Sequence, residues 1–327
     1  MKAQGLPLAF VLLSSCASHP LGYLEGAAGP AGRPLQSIAV GMTLISGLGS
    51  IVTGLLLVAA IMNGRRKARR EGDAVEGHAG GLPWIWWGTG LTFPIFVAMA
   101  VWTLVTTRAV AEQTGPAPFT LEITGHRWWW EVRYRTPQPA GDLLTADDIV
   151  IPVGVPVRIK LMAGDVIHSF WVPKLAGKMD MIPGHTNATW LQADVPGTYR
   201  GQCMEFCGLE HARMAFTVRA MPREAFLRWY ASNLLPAAPA TAQALFTDRC
   251  GLCHAVRGTG AGGLVGPELT HVASRPTLAA GTLAMTPAAL DHWLRDTQGV
   301  KPGAYMPQIP LTDAERRTIV SYLAGLK

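Results

Sequence analysis

Gly201-Gln-Cys-Met-Glu-Phe-Cys-Gly-Leu-Glu-His-Ala-Arg-Met214 is the stretch whose reading sets the fold and the chemistry. It offers soft donors at Cys203, Cys207, His211 and Met214. A second imidazole, His168, arrives from Val166-Ile-His-Ser-Phe-Trp-Val-Pro173, far enough upstream to lie on a different strand. Thiolate, imidazole and thioether together favour copper. A mononuclear blue-copper loop needs a single cysteine. The second thiolate here suggests a pair of coppers bridged by both sulfurs, each capped by one histidine. A zinc site of two cysteines and two histidines fits the same spacings, but it has no use for the methionine. A disulfide between Cys203 and Cys207 is the third reading.

Outward from this loop the chain has the pattern of a small β domain over residues 119–233. Leu121 and Ile123 alternate, and Ile149, Ile151, Val153, Val155, Val157, Ile159 and Leu161 carry the alternation on, interrupted by Gly and Pro. Such β-branched runs between turn residues predict the strands of a sandwich or barrel. Residues 234–242 are rich in Pro and Ala and read as a linker.

Residues 243–327 form a second soluble unit. A short helix is expected to run into Cys250-Gly-Leu-Cys253-His254. The C-x-x-C-H spacing sets two thiols where they can add to haem vinyl groups, with the histidine beneath the iron. A thioredoxin-type redox pair would need a βαβ setting, which this helical, Gly-rich segment does not supply. A low-spin electron carrier needs a sixth ligand, and the candidates are Met285 and Met306. Met285 abuts Thr286-Pro287, an N-cap followed by proline at the first helical position. Met306 lies in the irregular loop Pro302-Gly-Ala-Tyr-Met-Pro307, before the capping box Thr312-Asp-Ala-Glu315, and is free to reach across a haem. Met306 is the expected axial ligand.

Upstream, residues 37–62 and 82–107 are free of charge. Either run is about 39 Å long as a helix at 1.5 Å per residue, enough to cross a bilayer. Trp84, Trp86 and Trp87 mark one end of the second run as an interfacial belt. Arg65, Arg66, Lys67, Arg69 and Arg70 lie between the runs and assign that connection to the cytoplasm, with both outer ends and everything after Arg108 outside. Lys2, the apolar stretch Leu6 to Leu13 and the following small residues read as an export signal over residues 1–16. The ending Leu13-Ser14-Ser15-Cys16 resembles a lipobox, which makes Cys16 a candidate for lipidation.

Composition agrees with this plan. In 327 residues, hydrophobic residues make up 49% and charged residues 15%, a balance unusual for a purely soluble protein. The net charge of +6 owes much to the basic run beside the membrane segment, so topology accounts for it and nucleic-acid binding does not. The 5 cysteines all have candidate chemistry, leaving none for a structural disulfide framework.

Three segments together resemble cytochrome c oxidase subunit II: Cys203-x-Glu205-x-Cys207-x-x-x-His211-x-x-Met214, the setting of His168, and Gly125-His-Arg-Trp-Trp-Trp130. The resemblance covers the helix pair and the β domain, and the remainder is similar to class I cytochromes c, in which Gly266-Pro267 would support the histidine. The fusion is similar to the caa-type oxidases. It implies a membrane protein with a two-helix hairpin, an all-β cupredoxin-like domain and an all-α class I cytochrome c domain. It further implies a dicopper centre (CuA) held by His168, Cys203, Cys207, His211, Met214 and the backbone carbonyl of Glu205. The Glu205 side chain would help bind a magnesium ion shared with subunit I, and Trp128 falls where the family has an aromatic used for electron entry. Haem c would be attached through Cys250 and Cys253 and ligated by His254 and Met306.

The expected partners are subunit I with its haem a and copper, subunit III, and a cytochrome c or quinol–cytochrome c oxidoreductase as donor. The expected location is a bacterial inner membrane, crossed twice, with both soluble domains on the periplasmic face. The expected activity is electron delivery for oxygen reduction coupled to proton pumping. The alternatives are a dicopper-containing nitric oxide reductase subunit and a stand-alone membrane-anchored redox shuttle. Two positions depart from the family pattern. The stretch Leu82-Pro-Trp-Ile-Trp-Trp87 lacks a glutamate associated with proton entry, with Glu76 nearby but outside the helix, and His185 stands where arginine is usual. Acidic and basic residues balance over 119–233, which suits a tethered donor and not a free basic one.

Overall fold

The structure, a computed structural model, describes residues 26–71, 82–111, 115–137 and 141–327. The export signal with Cys16, and Glu76, lie outside the described residues.

The uncharged runs form α1 (Gly32–Glu71) and α2 (Leu82–Ala111). α1 does not stop at the basic cluster but continues through it. Arg and Lys are good helix formers, so the end of the apolar run does not break the helix. The most apolar window of each helix has a mean hydropathy of 2.3 or 1.7 and is wholly uncovered by the rest of the chain. A helix apolar all round belongs in lipid or against another apolar chain. Gly41 allows the two to meet, since a Cβ there would lie 2.3 Å from the Trp102 ring. Their outer ends are tied to the β domain. The Ala28 amide donates to the Lys174 carbonyl at 2.8 Å, and Trp190 Nε1 donates to the Val110 carbonyl at 2.9 Å. Both ends of the pair therefore lie on one side, as expected of a hairpin.

The β domain is a two-sheet sandwich. One sheet comprises β1 (Thr120–His126), β2 (Trp129–Arg135), β3 (Leu143–Ala146), β5 (Val157–Ala163) and β8 (Asn187–Leu191), in the order β3-β2-β1-β5-β8. The other comprises β4 (Asp148–Pro152), β6 (His168–Trp171), β7 (Met179–Met181), β9 (Gly197–Cys203) and β10 (Ala215–Met221), in the order β4-β10-β9-β6-β7. The run read as one alternating series from Ile149 to Leu161 is in fact split between the sheets. β4 is buried at every position, while β5 alternates strictly at its start. Gly154, at φ +75°, turns the chain from one sheet to the other.

Between the sheets Trp130, Phe170 and Phe216 pack ring against ring, with Phe170 and Phe216 stacked at 4.7 Å. The Tyr134 hydroxyl bridges the sheets, donating to the Val150 carbonyl at 2.9 Å. Gly201, paired with Phe216, leaves room for this core, because a Cβ there would approach the Phe216 ring to 2.1 Å.

Helix α3 (Arg223–Leu234) closes the sandwich, and an extended segment leads to the C-terminal domain. That domain contains α4 (Gln243–Cys250), α5 (Pro287–Arg295), α6 (Thr297–Val300) and α7 (Asp313–Gly325) around Phe246, Leu290, Ile319 and Tyr322. It is helical apart from a two-residue ladder of β11 (Thr277–Leu278) and β12 (Leu283–Ala284). The N-cap at Thr286 and the capping box of Thr312 with Glu315 form as the sequence predicts.

Gly201→Ala overpacks the Phe216 ring. It is expected to destabilise the sandwich by about 1–3 kcal/mol, seen as a lower thermal midpoint of the β domain with the helical signal unchanged.

Candidate functional site

Register brings the first cluster together. β6 pairs with β9 so that Phe170 faces Cys203, which sets His168, at the start of β6, beside the Cys203 sulfur. His168 is fully buried, and its Nδ1 lies 3.9 Å from Cys203 Sγ. The loop from β9 to β10 then folds back. Cys207 Sγ lies 3.8 Å from Cys203 Sγ, 3.5 Å from His211 Nδ1 and 3.8 Å from Met214 Sδ. The Glu205 carbonyl oxygen lies 3.3 Å from Cys203 Sγ. All the donors quoted from the loop, with His168, converge on one buried place.

Both cysteines are free, and their separation is far beyond the ~2.05 Å of a disulfide. The hydrogen bond from the Cys207 thiol holds Cys203 well below the usual thiol range against the effect of burial, with His168 adding to it. The same pairing and burial push Cys207 up. Two thiols this close give up one proton readily and the second only to a strong cationic centre.

The donor set also discriminates between metals. A single tetrahedral zinc needs four mutually close donors. His168, Cys203 and Cys207 have ligand atoms within 4.8 Å of one another, and His211 is not part of that group. One imidazole flanks each sulfur, and a thioether stands beside Cys207. These soft donors suit copper, and the thioether has no use in a zinc site.

Three features around the cluster were not singled out in the sequence for these roles. Asp165 accepts from His168 Nε2 at 2.8 Å and from the Arg127 amide at 2.7 Å, fixing the ring so that Nδ1 faces the sulfur. Burial works against ionisation of Asp165, but these hydrogen bonds outweigh it and hold its carboxyl below the usual range. Gly125 makes space for the imidazole, since a Cβ there would lie 2.9 Å from His168 Cδ2. Trp128 stands in the turn between β1 and β2, not within a strand, and its Nε1 donates to the Cys207 carbonyl at 3.0 Å. The i to i+3 spacing of Asp165 and His168 was the one available signal. The other two contacts come from distant segments.

In the C-terminal domain the thiols of Cys250 and Cys253 are free and half-buried. His254 Nδ1 donates to the Pro267 carbonyl at 2.8 Å, leaving Nε2 as the free donor. Gly266 lies flat against this ring, with a would-be Cβ 2.6 Å from Cε1. Burial keeps the imidazole below its ordinary pKa and so neutral, the form that ligates iron. Leu252, Leu264 and Val265 leave large apolar side chains on the surface around these thiols, as the faces of a porphyrin require. These residues fit a covalently attached haem. Met306 and Met285 both pack at the edge of the domain core, and Gln298 Nε2 holds the Met306 loop through its carbonyl at 2.9 Å.

A paired-thiol cluster in a β sandwich and a C-x-x-C-H helical domain, both carried by an apolar helix pair, define a membrane-anchored electron carrier. The family model for the periplasmic domain of cytochrome c oxidase subunit II matches residues 137–221, and that for cytochrome c matches residues 239–327. Cytochrome c oxidase subunit 2 of Alkalihalophilus pseudofirmus is 31% identical over 337 aligned positions, covering 98% of this chain and 96% of that one. The subunit 2 of Bacillus sp. (strain PS3) is 31% identical over 268 positions, covering 74% and 73%. The solved periplasmic domain of cytochrome oxidase subunit II from Bradyrhizobium japonicum is 30% identical, with a TM-score of 0.35, over 37% of this chain and 96% of that one. The chain belongs to the cytochrome c oxidase subunit 2 family. Its fused C-terminal cytochrome c domain gives it the caa-type arrangement, and the two domains imply copper and haem c.

Asp165→Ala frees the His168 ring. It is expected to lower copper affinity by about 10–100-fold in a chelator competition, with the β-sheet circular dichroism unchanged.

Proposed function

We propose that this chain is the electron-entry subunit of a haem–copper oxidase in a bacterial inner membrane, with both soluble domains on the periplasmic face. It would accept electrons from a cytochrome c or a quinol–cytochrome c oxidoreductase and deliver them to the haem a of subunit I, where oxygen is reduced and protons are pumped. Subunit III would complete the complex. When bound, haem c and the copper pair supply the one-electron chemistry.

The protein's part is to hold, orient and dry these groups. His168, Cys203, Cys207, His211, Met214 and the Glu205 carbonyl would hold the copper pair. The Glu205 side chain, half-buried at the loop, would reach a magnesium ion shared with subunit I. The Trp130–Phe170–Phe216 core behind His168 excludes water and keeps the donors from moving. Cys250 and Cys253 would carry the haem, with His254 and Met306 as its axial ligands. Trp128, bonded through its indole to the Cys207 carbonyl, is the aromatic through which electrons would enter the copper loop. Residues 1–16 would direct export, with lipidation at Cys16. Residues 119–233 would form the copper domain, 234–242 the linker and 243–327 the haem domain.

The observation that carries the reading is the close pair of free sulfurs with one imidazole at each. Its test is gas consumption by the purified complex. Oxygen uptake should dominate, with Cys207→Ser reducing it to background and leaving haem c bound. Preferential consumption of nitric oxide, or a chain that purifies alone without haem a, would overturn it. Met306→Ala should keep the haem covalently attached but remove its low-spin methionine signature and lower its potential, read by optical titration. An unchanged spectrum would move the axial role to another residue.

A further inference from the structure

The two soluble domains of this chain are locked together by a lysine that no part of the site described above requires. Lys301, just after α6, is 3% exposed. Its Nζ donates to the carbonyls of Trp128 at 2.7 Å, Arg213 at 2.9 Å and Ala279 at 3.0 Å. An ammonium has three protons to give, and here each finds an acceptor. Two of the acceptors belong to the β domain, and both flank its functional loops. Trp128 is the proposed entry aromatic, and Arg213 precedes Met214.

Other contacts surround the lysine. Arg213 Nη1 donates to the Val300 carbonyl at 2.8 Å, and the Ala215 amide donates to the Ala280 carbonyl at 3.0 Å. Arg127 bonds to the Tyr305 hydroxyl and lies over its ring at 5.0 Å. Gly303, at φ +78°, sits so close that a Cβ would stand 3.5 Å from the Trp128 ring and 3.7 Å from Leu209. Ala279 and Ala280 both adopt left-handed backbone, at φ +53° and +54°. Alanine rarely does so unless its surroundings over-determine it, and here both carbonyls are used at the contact. The connecting segment is not loose either. The Ala237 amide donates to the Arg257 carbonyl at 2.9 Å, and His271 Nε2 lies 3.1 Å from the Leu235 carbonyl.

We infer that Lys301 is a positioning residue, an ammonium latch that seats the Met306 loop of the haem domain on the Trp128 face of the copper domain and closes that face to free external donors. The inference rests on the electron-entry reading of the two sites. A buried ammonium is costly without partners, so its placement at three carbonyls, two of them across the contact, favours one docked arrangement over a ball-and-tether search. External electrons must then arrive at the haem domain.

The test is Lys301→Met in the complete oxidase. The variant keeps an unbranched apolar stem as far as Cε and removes the ammonium with its three donors, leaving two β-domain carbonyls without them. Protease cutting within residues 235–242 should rise about ten-fold, the effect of one buried carbonyl losing its partner. Electron transfer from photoreduced haem c to the copper centre should slow by a similar factor, while both absorption spectra stay native. Added soluble cytochrome c should gain direct access to the copper domain. Intact spectra with cutting and transfer both within about two-fold of the unmodified complex overturn the latch. Should Lys301→Met fail to load its cofactors, Arg213→Ala carries the test, since that side chain is 51% exposed. Loss of its bond to Val300 should raise cutting about three-fold, and a native rate overturns the docked seating that the latch is inferred to hold. Absence of copper and haem from the unmodified chain would sink the electron-entry reading instead, and the cutting comparison would still report on the latch.

Discussion

The pairing of β6 with β9 is the constraint on which the rest depends. It sets His168 against Cys203 deep in the sandwich, and the loop that follows β9 has only to fold back for Cys207, His211 and Met214 to join them. The aromatic core behind that pairing gives the imidazole and sulfurs no room to relax. Asp165 and Gly125 complete the seat of His168, one by hydrogen bonding and one by the absence of a side chain. A site so confined would hold its donors in one geometry, as rapid electron transfer through a bound metal requires.

The three-part architecture, and the loop whose cysteines meet His168, were legible because both rest on local chemistry. A C-x-x-C-H segment, a Cys-rich loop with Met, and charge-free runs flanked by Arg keep their meaning wherever the chain folds. The strand pattern was less faithful. Ile149 to Leu161 reads as one alternating series, but β4, the edge strand of the second sheet, is buried at every position, and Gly154 diverts the chain before β5. α1 likewise outran its apolar segment, because helix propensity does not end where lipid does. The contact of Trp128 with the copper loop and the place of Lys301 were illegible for a different reason. Their partners lie far along the chain, and a lone lysine after a short helix looks like any surface charge.

The fused haem domain changes how effective concentration should be understood. A short flexible linker alone would raise the local concentration of one site near the other. Here the linker is pinned at Leu235 and Ala237, and the domains meet through Lys301, Arg213 and Tyr305. The balanced charge of residues 119–233 is consistent with this arrangement, since a face occupied by a tethered domain needs no acidic surface to steer a free basic one.

Two soft-donor clusters on one membrane-anchored chain would hold copper and iron. Metal analysis of the purified chain with electron paramagnetic resonance tests this most directly. Roughly two coppers per chain, a mixed-valence signal with the electron shared between them, and a low-spin c-type haem are expected. Zinc in place of copper, or a copper signal confined to a single ion, would contradict it.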